Sequence, residues 1–400
     1  MNKIEKEIED RVIKTYQKEN PSTYLIESDK DEYNIRKQYM ENLFIHRLNF
    51  PPKMFDGSSL LEFGSGTGEH SSFYLQWGAS GTFVEADIEA YKRSLKIFKH
   101  FSINKDSYDV KNQSLFDFQS DKEFDIVLSN GVIHHTNNKS RAFNHLVSNL
   151  KVGGFCILGI GNNAGLFQRN LQRSILYAFS QSEDDIVKYA NLFFSEHLDR
   201  AEKYGRRTRM AIIYDTYVNP KIDTPSVSEV MQWFEDNNLR LYSSWPPVSP
   251  SFRSDSNANA DLLDYSKLHN VISLMEINWM SNSGSDIESL SKLDVKLSPI
   301  VSKTQKIAET MNNIMPEKGI DFNNLLDGVL ELKDELLNEY VFKDLYSNSI
   351  DFLNDVERII KCINKRDIAM LKRKIDSAGF LFRGTSGLGI NQYIGYKVCK

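Results

Sequence analysis

Short apolar runs alternate with amphipathic stretches between residues 58 and 161, and this alternation predicts an α/β fold with a doubly wound parallel sheet. Helices fit between five predicted strands, at residues 59–63, 81–86, 108–112, 124–129 and 154–160. A glycine-rich turn follows the first of these strands directly, at residues 64–68. Residues 1 to about 50 carry helical spacing of apolar side chains, and the Pro51-Pro52 pair ends that segment. The sequence therefore predicts a sheet preceded by N-terminal helices.

The strand and helix alternation stops after Gly161, and the remaining residues are mostly helical in pattern. A proline-containing section interrupts them, with one helix at 228–237 and one strand at 239–244. Residues 380–383 and 392–398 alternate as a closing hairpin would, around a glycine-rich turn at 384–389. We therefore predict five segments. The first two are helices over 1–50 and a sheet core over 51–163. A helical insert with an acceptor-side loop and a sixth strand follows over 164–250, then a helical insertion over 251–379, and a closing hairpin with the last strand over 380–400.

Composition narrows the class of protein. The chain has 400 residues, of which 40% are hydrophobic and 26% charged, as in ordinary globular proteins. A net charge of -5 gives no global field that would attract nucleic acid or an anionic membrane. Three cysteines are too few and too far apart for a disulfide framework, and no apolar stretch approaches the roughly 20 residues that span a bilayer. We expect a cytoplasmic protein.

The glycine-rich turn lies in the segment LLEFGSGTGEH, residues 60–70, between an apolar strand and a helix. Glycine is needed where the backbone takes positive φ or approaches a ligand closely. Asp87 ends the next strand 23 residues after Gly64, the distance at which an acid reaches ribose hydroxyls. A dinucleotide-binding turn would have Gly or Ala where Glu69 stands, and that carboxylate would repel a pyrophosphate. The order Gly-x-Gly-x-Gly with Glu62 before it instead suits S-adenosylmethionine.

Residues 58–161 resemble the class I S-adenosylmethionine-dependent methyltransferases in four segments, LLEFGSGTGEH, FVEADIEA, FDIVLSNGVIHHT and LKVGGFCILGIGNNAG. The resemblance implies a Rossmann-like methyltransferase fold, in which a sixth parallel strand and an antiparallel seventh complete a seven-stranded sheet. Residues 239–244 and 392–398 fit those two places. The resemblance also implies S-adenosylmethionine as cofactor and methyl transfer as the activity.

Cofactor-binding residues carry over from this resemblance. The turn would wrap the methionine portion of the cofactor with the backbone of Gly64, Ser65, Gly66 and Gly68. Glu62 would orient the amino group, and Asp87 would accept from the ribose hydroxyls. Glu85 is the rival of Asp87, because strand alternation places both on one side, but Asp87 is nearer the C-terminal end where ligands bind.

The third motif of the family departs from its usual pattern here. The acid that would reach the adenine amine is missing from residues 112–116, so that Ser114 or a backbone amide would substitute. Asn130, at the end of the fourth strand, would contact the methionine end of the cofactor.

Methyl transfer from a sulfonium is an in-line displacement, so the protein must align the nucleophile and, for some acceptors, remove a proton. His134 and His135 follow the fourth strand and suit that role near neutral pH, although a histidine in such a loop more often packs and bonds to the backbone. Asp215 and Tyr214 open a polar aromatic run that suits acceptor binding, and Asp215 is the best base other than histidine. We expect no metal, because adjacent histidines on an extended segment point apart.

The region up to about residue 250 also resembles a bacterial subgroup of these enzymes that acts in small-molecule or glycan biosynthesis. We therefore expect transfer to an O, N or C atom of a small molecule, a sugar or a secondary-metabolite intermediate. A tRNA or protein methyltransferase is the alternative, since five arginines would form a local basic patch if they lay together on the surface. These are Arg169, Arg173, Arg206, Arg207 and Arg209. A non-catalytic cofactor-binding subunit is the third hypothesis. The long helical insertion would cover the acceptor pocket or form a homodimer surface.

Overall fold

A seven-stranded sheet forms the centre of the molecule, with strand order β3-β2-β1-β4-β5-β7-β6. The computed structural model describes residues 3–19, 23–248, 275–281, 298–312, 314–315, 319–338, 343, 346–383 and 389–399. The strands are β1 (Ser59–Phe63), β2 (Ser80–Glu85), β3 (Tyr108–Asn112), β4 (Phe124–Asn130), β5 (Leu150–Gly161), β6 (Leu239–Trp245) and β7 (Ile390–Lys397). The first five strands are parallel, and β7 is antiparallel to both β5 and β6. The predicted α/β sheet is confirmed, including its two last strands.

Helices cover both faces of the sheet and form a further body beyond it. They are α1 (Lys3–Lys18), α2 (Lys30–Glu41), α3 (Glu69–Gln76), α4 (Ile88–His100), α5 (Lys139–Ser148), α6 (Phe167–Phe179), α7 (Glu183–Gly205), α8 (Arg209–Ile213), α9 (Val227–Asp236), α10 (Ser298–Thr310), α11 (Phe322–Asn338), α12 (Ser347–Ile363) and α13 (Ile368–Asp376). Residues 275–281 are also helical. No helix in these described ranges is long and apolar enough to cross a bilayer.

The central strands β1, β4 and β5 are mostly buried on both faces, which explains why they read as nearly continuous apolar runs. Leu60 and Phe83 point to the face that α2, α3 and α4 cover, where aromatic side chains dominate the packing. Leu61 and Val84 point to the opposite face, against α5 and α9. This alternation fixes the register of β1 and β2, and it holds the ends of the strands in place for a site.

The predicted insert and insertion share one apolar core. Helices α6 and α7 pack with α10, α11, α12 and α13 in a single cluster of buried side chains. The predicted hairpin is wrong in its first strand, since residues 380–383 form bends and turns that close on the helical core. Its turn at 384–388 lies outside the described residues.

The N-terminal helix α1 lies over the carboxyl ends of the strands. Its side chains bond to residues far along the chain, including Asp87 and His135. It also packs against the turn of π-helix over Tyr214–Val218 that extends α8. An N-terminal segment of this kind forms part of the wall of any site at that edge of the sheet.

Candidate active site

The strand order reverses between β1 and β4, and this point of the sheet carries a cavity of about 610 Å³. In open α/β sheets, ligands bind outside the carboxyl ends of the strands where the order reverses. The cavity is lined by the glycine turn after β1, the end of β2, the loop after β4, and side chains of α1 and α6. Its size is typical of a small-molecule site.

The turn after β1 has positions where only glycine fits, because a Cβ there would overlap neighbouring side chains. Gly64 has a φ of +73°, and a Cβ there would lie 2.2 Å from Cγ2 of Val132. Gly68 has a φ of +77°, and its Cβ would lie 2.6 Å from the Cβ of Ser94. Gly66 also has positive φ. Glycine is therefore required here by backbone conformation and by space, as the sequence predicts.

Glu62 lies at the floor of the cavity, and only 4% of it is exposed. Its carboxylate accepts a hydrogen bond from the hydroxyl of Ser71 at 2.6 Å. Burial raises the pKa of Glu62 to about 8, and the neighbouring Glu85 adds to the rise. A cation in the cavity would favour the charged form of this carboxyl group.

Two acids at the end of β2 face the cavity, as the strand alternation predicts. Glu85 accepts from the backbone N–H of Gly66 at 2.7 Å and of Asp87 at 2.8 Å, while burial raises its pKa to about 7. Asp87 is the N-cap residue of α4, and its Oδ1 accepts hydrogen bonds from the N–H of Glu89 and from the side-chain amide of Gln17. The Oδ2 of Asp87 is buried without a hydrogen-bond partner in the described part of the chain. That oxygen is the one open to a ligand hydroxyl.

On the adenine side of the predicted site, Ser114 does not have its expected place in the cavity wall. Ser114 is not among the described residues that line the cavity. Its hydroxyl donates to the carboxylate of Glu9 at 2.7 Å, and Glu9 does line the cavity. The structure therefore places an acid from α1 beside the segment from which the family's usual acid is missing.

The remaining predicted cofactor residues lie in the cavity wall. Asn130 ends β4, and its Oδ1 accepts from the side-chain amide of Gln392 at 3.1 Å. The hydroxyl of Ser65 is buried and has no partner among the residues that the structure describes. Both groups are in position to bond to a polar ligand.

The two predicted histidines differ in their contacts. His134 is buried, and its Nδ1 accepts from the backbone N–H of Gly161, the ordinary packing role for a loop histidine. The Nδ1 of His135 lies 2.7 Å from the carbonyl of Lys221, so Nδ1 must carry the proton. Its Nε2 then accepts from the hydroxyl of Tyr16 at 3.1 Å. Burial lowers the pKa of both histidines, so that each is neutral near pH 7.

Asp215 lines the cavity and forms an ion pair of 3.1 Å with Arg207. The positive charges of Arg207 and Arg169 lower the pKa of Asp215 against the effect of burial. Tyr214, the other predicted residue of this run, is not in the cavity wall, because the turn of π-helix directs it outward. Its hydroxyl donates to Glu183 at 3.3 Å. Tyr214 is therefore withdrawn from the catalytic candidates.

Sequence reasoning missed the contribution of α1. Glu9, Tyr16 and Gln17 reach the adenine segment, a histidine and an acid across more than 65 residues of chain. In the sequence, each of them is only a polar side chain in an amphipathic helix. An ordinary surface helix has the same pattern, so the pattern does not identify site residues. The described residues bring together no cluster of three His, Cys, Asp or Glu side chains suited to a metal ion.

A sheet of this order, with a glycine turn after β1 and acids at the end of β2, defines a class I methyltransferase domain. The family model described as a methyltransferase domain matches residues 35–244. This chain belongs to that family. S-adenosylmethionine is the cofactor of the class.

Comparison with individual proteins gives weaker likenesses. No curated protein matches the chain. A candidate methyltransferase from Bacillus halodurans is 12% identical, with a TM-score of 0.30 over 47% of this chain and 64% of that one. PKMT2 from Rickettsia typhi, solved with AdoHcy, is 15% identical, with a TM-score of 0.43 over 62% and 50%. A candidate sarcosine dimethylglycine methyltransferase from Galdieria sulphuraria is 11% identical, with a TM-score of 0.36 over 92% and 88%.

The residues present fit S-adenosylmethionine. A Cβ at Gly64 would overlap Val132 in the cavity wall, so only glycine fits this turn of the wall. The Oδ2 of Asp87, which has no partner in the described part of the chain, is an acceptor for a ribose hydroxyl. The buried carboxyl groups of Glu62 and Glu85 lie where a ligand with an ammonium and a sulfonium charge would stabilise their ionised forms.

Proposed function

We propose that this protein transfers a methyl group from S-adenosylmethionine to an O, N or C atom of a small molecule. The observation that carries the proposal is the enclosure of the acceptor half of the cavity. Tyr16 of α1, Arg169 of α6 and the Arg207–Asp215 pair line this half together with the loop after β4. A wall built from four separate parts of the chain leaves room for a small molecule and little for a folded one.

When bound, S-adenosylmethionine supplies the methyl group: the carbon–sulfur bond breaks, its electron pair stays on sulfur, and a new bond forms to the acceptor. The protein holds the two reactants in line. In this proposal the glycine turn and Glu62 hold the methionine end, and Asp87 accepts from the ribose. Glu9 takes the adenine side, in place of the acid that residues 112–116 lack.

A proton leaves the acceptor atom if that atom is a hydroxyl or an ammonium nitrogen. His135 is the base that we favour, because it is neutral and its Nε2 lone pair faces Tyr16. An acceptor that displaces the Tyr16 hydroxyl would meet that lone pair directly. Asp215 is the weaker base, since the pair with Arg207 holds its pKa low.

The arginines argue against the alternative of tRNA, because they form no open basic patch. Arg173 is fully buried and donates to three backbone carbonyls. Arg206, Arg207 and Arg209 each form an ion pair with an acid of the same chain. Paired and buried guanidinium groups cannot neutralise phosphates without breaking these contacts.

The proposal is tested with methyl-labelled S-adenosylmethionine and a cell extract separated into metabolites, tRNA and protein. We expect label in the metabolite fraction with the wild-type chain and none with the Asp87→Ala variant. Label confined to tRNA or protein would overturn the acceptor class. Failure of the wild-type chain to bind S-adenosylhomocysteine in calorimetry would overturn the proposal as a whole.

A further inference from the structure

Arg169 differs from the other arginines that line the cavity. It lies in the first turn of α6, half-buried, and its Nε is inaccessible to solvent and has no hydrogen-bond partner among the described residues. Within the described ranges its guanidinium forms no hydrogen bond or ion pair. By contrast, Arg36 pairs with Glu32 and Arg207 pairs with Asp215. Asp215 attracts Arg169 but bonds to Arg207, so the donors of the Arg169 guanidinium are left without a partner among the described residues.

A guanidinium that loses water without gaining a partner is costly, because the charge is desolvated and its donors are unused. Burial accordingly lowers the pKa of Arg169. The first turn of α6 adds the positive end of a helix dipole to the same place. An anion bound here would offset both the desolvation and the unused donors.

The position of Arg169 within the cavity identifies which ligand would bring that anion. Helix α6 packs against the turn of π-helix that carries Asp215. The charge of Arg169 accordingly acts on Asp215 and on His134, His135 and Tyr16, which lie around the acceptor half. The perturbed pKa of Glu62, at the glycine turn, has burial, Ser71 and Glu85 as its causes. Arg169 thus belongs to the side of the cavity opposite the methionine-binding turn.

We propose that Arg169 binds a carboxylate of the acceptor molecule, so that the substrate is a small carboxylic acid methylated at another atom. This inference rests on the proposed methyl transfer. A planar guanidinium matches a carboxylate with two parallel N–H···O bonds. The charge balance favours a monoanion over a phosphate dianion, because Asp215 already neutralises Arg207 and leaves one unpaired positive charge.

The test uses the full chain saturated with S-adenosylhomocysteine and titrated calorimetrically with matched pairs of probes. The pairs are acetate with acetamide and benzoate with benzamide, and inorganic phosphate is a separate arm. We expect the carboxylate of at least one pair to bind about tenfold or more tightly than its amide. Arg169→Gln should remove that difference, and Arg169→Lys, which keeps the charge and loses the fork, should retain part of it. Arg240→Gln, at an exposed arginine of β6, should leave it unchanged.

Equal binding of carboxylate and amide in both pairs would overturn the inference. So would phosphate binding that depends on Arg169 and exceeds that of the carboxylates. Loss of S-adenosylhomocysteine binding in Arg169→Gln, with binding retained in Arg240→Gln, would assign Arg169 to the carboxylate of the cofactor and leave methyl transfer standing. Failure of the wild-type chain to bind S-adenosylhomocysteine would instead count against the proposed function itself.

Discussion

Replacing Asp87 by alanine separates a structural role from a ligand-binding role in one side chain. Its Oδ1 caps α4 through the N–H of Glu89 at 3.1 Å and accepts from Gln17 at 2.9 Å. Its Oδ2 is buried without a partner among the residues that the structure describes, and it faces the cavity. The first oxygen therefore serves stability, and the second is available to the ribose of the cofactor.

The two effects of Asp87→Ala differ in size. Loss of the helix cap costs about 1 kcal/mol, and loss of the bond from Gln17 costs about 1 kcal/mol more. Removal of a buried, unpartnered oxygen offsets part of this, so we expect the free energy of unfolding to fall by roughly 1 to 2 kcal/mol. A hydrogen bond from ribose to a carboxylate is worth about 1.5 to 3 kcal/mol, so affinity should fall about tenfold to a hundredfold.

A second cap provides the matched control. Asp367 begins α13 and accepts from the N–H of Met370 at 2.8 Å, on an exposed surface outside the cavity wall. Asp367→Ala should lower the free energy of unfolding by about 1 kcal/mol and leave binding of S-adenosylhomocysteine unchanged. Urea denaturation and calorimetry measure the two quantities. Binding by Asp87→Ala within twofold of wild type would refute the reasoning and transfer the ribose role to Glu85.

Three further perturbations test the cofactor half of the cavity. Gly64→Ala should abolish binding of S-adenosylhomocysteine and lower the melting temperature more than Gly57→Ala, since both have positive φ but only the first would clash. In urea without ligand, the stability of the wild-type chain relative to Glu62→Gln should fall as the pH rises from about 4.5 to about 8, because burial raises the pKa of Glu62 to about 8 and the folded state keeps its proton. Glu9→Gln should weaken binding of S-adenosylhomocysteine several-fold in calorimetry, while Asp10→Asn on the exposed side of α1 should not.

Each of these expectations has a contrary result. Equal effects of the two glycine substitutions would show that the close approach to Val132 relaxes without cost. A difference in stability between wild type and Glu62→Gln that does not fall over the same pH range would mean that Glu62 is ionised in the folded protein. Unchanged affinity in Glu9→Gln would leave the adenine side to the backbone amides of residues 112–116.

The centre of the sheet could be predicted closely because β1, β4 and β5 are mostly buried on both faces, and such strands leave nearly continuous apolar runs in the sequence. Strands β1 and β3 have their predicted bounds, and the others differ by a few residues at their ends. The error at residues 380–383 has the same physical origin. Leu381 and Phe382 face the helical core while Phe380 is exposed, and alternation alone does not distinguish a strand from a partly buried turn.

The site was predictable only where one local segment forms it. The glycine turn, Glu62 and the acids of β2 lie within 30 residues, so spacing relates them to one another. Tyr16 and Asn219 meet at 2.9 Å across 203 residues of sequence, and nothing in the local pattern of either segment specifies the other. The pairing of Arg207 with Asp215, which removes a charge from the predicted basic patch, is likewise a result of the folded geometry.

The charges of the cavity divide in a way that suits a cationic cofactor and an anionic acceptor. Glu62, Glu85 and Asp87 converge on the glycine turn, and burial has raised the pKa of the first two to values near neutrality. A ligand that carries ammonium and sulfonium charges would favour the ionised forms and release protons as it binds. Across the cavity, Arg169 remains unpaired among the described residues while Asp215 cancels Arg207. Each half of the cavity has a charge that a ligand of opposite sign would neutralise. The cationic cofactor is therefore attracted to one half and the anionic acceptor to the other.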